Sequence, residues 1–142
     1  MHAFRFLLCF SFLLILLSCD ENSNLSPYDN LSTVVDSKLF EKTSGSNFTI
    51  QSAIIKDGFL EITLAASGCN GSTWKARLID SGLIAESYPV QRYARIEFVN
   101  GEECMAYLTK TFAFDLSLLQ VPDANRVAIN LTGWNNSLLY TY

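Results

Sequence analysis

From Asn47 to the C-terminus, apolar residues recur at every second position in short runs, each closed by Gly, Asp, Asn or Pro. A helix would repeat its apolar face at a spacing near 3.6, so period two restricts this part of the chain to half-buried strands. Leu60, Ile62, Leu64 and Ala66 alternate with Phe59, Glu61, Thr63 and Ala65. Trp74, Ala76 and Leu78 repeat the pattern, as do Ala94, Ile96 and Phe98, then Phe112, Phe114 and Leu116, then Val127, Ile129 and Leu131. A strand from Phe48 to Ile55 precedes these sets, and Leu138 to Tyr142 closes the chain.

The breaks between runs predict the connections. Lys56-Asp57-Gly58 marks a hairpin, because Asp-Gly readily takes positive φ. Ser67-Gly68-Cys69-Asn70-Gly71 interrupts the ladder, and Asp80-Ser81-Gly82 reads as a turn before a strand from Leu83 to Tyr88. That strand ends at Pro89, which places it at a sheet edge. At Asn100-Gly101, an odd loop of three residues keeps Ala94, Ile96 and Phe98 on one face with Cys104, Ala106 and Leu108, so Gly101 is expected in the left-handed region. Leu31 to Phe40 suits either a short helix or a strand. Seven or eight short strands at regular spacing predict an all-β, antiparallel immunoglobulin-like β-sandwich, with a small β-barrel as the alternative.

The N-terminus carries a different signal. Phe6 to Leu17 is a nearly unbroken apolar run of about twelve residues, a signal-peptide length where a membrane span needs about twenty. It ends in Leu16-Leu17-Ser18-Cys19, which resembles the lipobox of bacterial lipoproteins. The resemblance implies that Cys19 is acylated and becomes the first residue of the mature chain, with membrane lipid as its partner. Residues 1–18 are then the signal peptide, 19–36 a flexible tether and 37–142 the β-sandwich domain. About fifteen polar residues would span roughly 20–25 Å. Asp20-Glu21 resembles the surface-export signal of Bacteroidota lipoproteins; the competing resemblance is to the inner-membrane retention signal of enteric bacteria. The body, with Lys56-Asp57-Gly58 followed by Ser67-Gly68-Cys69, is also similar to uncharacterised lipoproteins of the Bacteroidota. An outer-membrane, surface-exposed address is the expectation.

With Cys9 in the leader and Cys19 acylated, Cys69 and Cys104 remain as an even pair in an oxidising compartment, which reads as one disulfide. Closing a loop of about 35 residues contributes about 3.5–4 kcal/mol in the chain-entropy model.

Removing the leader also removes His2, the single histidine of the 142 residues. Ser-His-Asp triads, Cys-His pairs and His-based zinc sites are thereby excluded from the mature chain. Nine basic residues then face fourteen acidic ones, with no Lys/Arg cluster, which argues against nucleic-acid binding. No cofactor or metal is expected. Calcium has only the loops Asp80-Ser81 and Asp123-Ala124-Asn125 to recommend it, and neither forms a calcium-binding loop motif. Glu102-Glu103 reads as a solvated pair, since adjacent strand residues face opposite ways.

Two groups are candidates for binding. Tyr88, Arg92, Tyr93 and Arg95 gather planar forks and aromatic rings along one stretch. Trp134, beside Asn135-Asn136, suits stacking on a sugar ring, although a Trp folded back on the core is the simpler reading. Trp74 has inward parity and reads as core. The expectation is a non-enzymatic binding or structural module, its ligand a glycan or another envelope protein. The alternatives are a carboxylate-based glycan hydrolase, with Glu102 or Glu103 paired to Glu86 or Glu97, and an envelope inhibitor or folding factor.

Overall fold

A computed structural model describes residues 32–45 and 47–142. The proposed leader, the lipobox with Cys19 and most of the tether lie outside the described residues.

Among the described residues, eight strands form two sheets packed as a sandwich, with no closed barrel. They are β1 (Ser32–Val35), β2 (Thr49–Lys56), β3 (Phe59–Gly68), β4 (Lys75–Ala85), β5 (Val90–Val99), β6 (Ala106–Asp115), β7 (Arg126–Leu131) and β8 (Leu138–Thr141). One sheet has the order β1-β4-β5-β7-β8, the other β2-β3-β6. The period-two sets meet between them: Leu60, Ile62, Leu64, Leu78, Phe114, Val127 and Ile129 are fully buried, and Trp74, Phe98 and Phe112 complete the interior. Phe98 sits edge-on to both Trp74 and Phe112, with ring centroids 5.3 and 6.5 Å apart. That geometry suits aromatic quadrupoles.

Several local expectations change. The sandwich is not antiparallel throughout, because β1 pairs parallel with β4 and β5 parallel with β7. Period two reports which face is buried but not the direction of the neighbour. The Leu31–Phe40 ambiguity resolves as both options in sequence: β1, then a helix α1 (Ser37–Lys42). Strand β1 hydrogen-bonds along Arg77–Asp80, so the folded domain begins by Ser32, inside the stretch assigned to the tether. Asp36 caps α1, its carboxylate accepting from the Leu39 amide at 2.9 Å. The helix packs on β4, where Ile79, on the face away from the core, is fully buried.

Asp80-Ser81-Gly82 does not end a strand. It is a bulge inside β4, where the register jumps from Asp80–Ala94 to Ile84–Arg92. Gly82 takes φ 76° there, a left-handed conformation that side chains disfavour. The stretch after it is the second half of β4, which pairs with β5 at Ile84–Arg92 and Ala85–Gln91 but runs past the end of β1, so its outer side is a sheet edge as expected. The Tyr88–Pro89 peptide is cis.

Asn100-Gly101 does not form a hairpin either. Residues 100–105 cross from β5 in one sheet to β6 in the other, and the left-handed glycines are Gly58, Gly71, Gly82 and Gly133, not Gly101. Asn100 instead donates its amide to the Ser67 carbonyl at 2.7 Å and accepts from the Glu102 amide at 2.8 Å. Cys104 and Ala106 are exposed rather than core-facing.

Candidate functional site

The structure disperses the four residues of the Glu86–Arg95 stretch. Arg92 shares the face of Ala94 and Ile96 and is buried. Its Nη2 and Nε donate to the Asp80 carboxylate at 2.6 and 3.1 Å, and Asp80 is fully buried as well. The bulge makes this possible, since the Gly82 amide folds back to the same carboxylate at 2.7 Å. Arg92 is thus an internal ion-pair partner and not a surface fork. Asp80, half of a conceivable calcium loop, is closed off by the same contacts.

Arg95 faces the opposite side of β5. It lies over the Phe40 ring, 4.2 Å from its centroid, and its Nη1 donates to the carbonyls of Phe40 and Thr43 at 2.8 and 3.2 Å. Those carbonyls belong to the C-terminal end of α1, where cations are favoured. Tyr93 stands on the same outer face, partly exposed. Trp134 is partly buried and packs against the core cluster, the simpler of its two readings.

Tyr88 remains. It is 85% exposed, more than any other aromatic ring among the described residues. Arg126 supports it, with the guanidinium 4.7 Å from the ring centroid and a hydrogen bond from Nη2 to the tyrosine hydroxyl. Two shallow grooves flank the ring. One of about 530 Å³ runs along Asp123, Asn125 and Arg126. The other, about 360 Å³, runs along Gln91, Asn130, Ser137 and Leu139. Asn130 donates to the Gln91 side chain at 2.9 Å, and Gln91 donates to the Ser87 hydroxyl at 3.1 Å. An aromatic ring held in place beside a chain of side-chain amides can stack on a flat ligand while the amides bond its polar edge.

The opposite kind of site lies where Cys69 and Cys104 join, with sulfurs 1.95 Å and Cα atoms 4.8 Å apart. Glu102, read from sequence as solvated, is partly buried there. Its Oε2 accepts from the amides of Cys69, Asn70 and Gly71 at 2.6, 3.1 and 2.9 Å, and its Oε1 from the Thr73 amide at 3.2 Å. Burial works to raise its pKa. The amides of Gly71, Thr73, Asn70 and Cys69 outweigh that and hold the carboxyl at about 2, against an ordinary 4.5. Lys110 donates to the Gly71 carbonyl at 3.1 Å and grips the loop from its other side. Ser-Gly-Cys-Asn-Gly was a legible chain break; that its successive amides converge on one carboxylate depends on a contact some thirty residues away. Among the described residues, no three of His, Cys, Asp and Glu converge as a metal-binding group.

No protein-family model matches the chain, and neither does any curated protein. Solved structures do resemble it. A DUF1344 protein of unknown function from Bacteroides vulgatus superposes with a TM-score of 0.52 at 9% identity, over 79% of this chain and 56% of that one. A NigD-like immunity protein from Bacteroides caccae gives 0.53 at 11% identity, over 71% of this chain and 51% of that one. The chain therefore spans about half the length of either structure, and what it shares with these Bacteroides proteins is the fold.

Proposed function

We propose that this chain is the folded part of a lipid-anchored envelope protein that binds a glycan through the surface built around Tyr88, without catalysis. The single observation carrying this reading is the ring itself: a large aromatic left open to solvent and held by Arg126, flanked by the amides of Gln91 and Asn130. Other polar groups named from sequence have internal tasks. Arg92 neutralises Asp80, Glu97 pairs with Arg77 at 2.5 Å, and Glu102 closes a loop. The anchor rests on Leu16-Leu17-Ser18-Cys19, and the absence of histidine after that cysteine favours binding over hydrolysis.

Two experiments test the two halves of the proposal. Metabolic labelling with a fatty-acid analogue should label the wild-type chain and not Cys19→Ser; a labelled variant refutes the anchor. Envelope glycans retained by the immobilised wild-type chain should be lost from Tyr88→Ala. Equal retention removes this surface as the site, and capture of a protein in place of a glycan overturns the ligand class.

A further inference from the structure

The described residues hold four arginines, and they divide into two kinds. Arg77 and Arg92 each have a carboxylate within ion-pair distance. Arg95 and Arg126 have none among the described residues, and each keeps a buried Nε without a hydrogen-bond partner. A guanidinium offers five donors in a rigid fork that matches a carboxylate, so a partly buried one lacking an anion is incompletely satisfied. Arg126 belongs to the Tyr88 surface. Arg95 lies elsewhere, in a groove of about 500 Å³ between the end of α1, the start of β2 and the β7–β8 turn. That size falls within the range of small-molecule sites.

We infer that this groove is a second ligand site, which takes a hydroxylated ring bearing a carboxylate, that is, an acidic sugar, on the guanidinium of Arg95. Two contacts to helix carbonyls use only Nη1. Lys42 adds a second cation to the lining, against one carboxylate, Glu41. Phe48 and Ile50 supply an apolar wall for the C–H face of a ring, and Ser44, Thr49 and Thr132 supply hydroxyls suited to its own. Charge selects the carboxylate and the lining selects a polyhydroxylated ring over a simple fatty acid. The inference does not rest on the Tyr88 reading, since this groove shares no lining residue with either groove beside Tyr88.

The test is titration of the isotopically labelled full chain with glucuronate, and with glucose as the neutral counterpart. Glucuronate should move the amide signals of Gly45 and Gly133 saturably, while glucose should not. Arg95→Lys keeps the charge but loses the fork, and should weaken binding at least about tenfold; Tyr88→Ala should leave it unchanged. Three results overturn the inference: signals at both glycines that stay still, an equal response to glucose, or loss through Tyr88→Ala instead of Arg95→Lys. Because Arg95 also holds α1, the wild-type titration decides even where the variant folds poorly.

Discussion

The two loop regions beside β4 are built on opposite principles. Where residues 69–73 meet 100–104, the loop is tied to the protein itself: four amides on one carboxylate, a lysine on a carbonyl, a disulfide across the junction. Past the other end of β4, around Tyr88, a large ring stands in water, and the arginine beside it has no carboxylate within ion-pair distance among the described residues. Satisfied groups hold a shape, whereas unsatisfied ones are available to a ligand. The contrast separates what maintains this fold from what can be used, although both regions are irregular, polar loops.

Mutagenesis can break or sharpen that division. The largest effect is expected just inside the bulge, where Asp80→Ala strands the Arg92 charge in the core. A loss of about 3–5 kcal/mol should appear in urea unfolding, and an unchanged midpoint would mean that the pair is not internal. Replacing Cys69 and Cys104 together by Ser should cost about 2–4 kcal/mol. Gly68→Ala comes next, at about 1–3 kcal/mol, because a Cβ there would stand 2.6 Å from Glu102 Oε2 and 3.0 Å from Trp74 Nε1.

Glu102→Gln sharpens the comparison through pH. A carboxyl held at about 2 when folded and near 4.5 when unfolded contributes stability that is complete above the unfolded value and is lost as pH falls from about 4.5 to 2. Wild type should therefore weaken more steeply across that window than the glutamine variant, as read by thermal melts at successive pH values. The smallest stability effect belongs to Tyr88→Ala, within about 0.5 kcal/mol, even though it removes the proposed ligand surface. A large loss of stability there would collapse the distinction between the two regions.

Much of the sandwich was legible, because period two is imposed by the strand itself. Leu60, Ile62 and Leu64, or Phe112 and Phe114, face inward as their spacing requires. Arg92 is instructive because the same spacing already placed it on the face of Ala94 and Ile96. Its charge argued for the surface, but an internal Asp80 supplied by a bulge reversed that argument. The parallel neighbours of β4 and β5 had no sequence signature, since alternation does not depend on strand direction. Of the binding candidates, Tyr88 alone emerged as a large, freely exposed ring, and its supporting Arg126 lies 38 residues away. Contacts across that separation are set by topology, which local patterns do not encode.

Loop 69–73 has the form of an anion receptor, with successive amides turned toward one point, yet its guest is part of the same chain. A tethered guest cannot be diluted, exchanged or outcompeted on ordinary terms, because its effective concentration is fixed by the covalent path from Cys104 back to Glu102. The shape of this loop should therefore be indifferent to the salts and free anions of its surroundings. A frame closed in this way keeps a geometry that does not follow its medium.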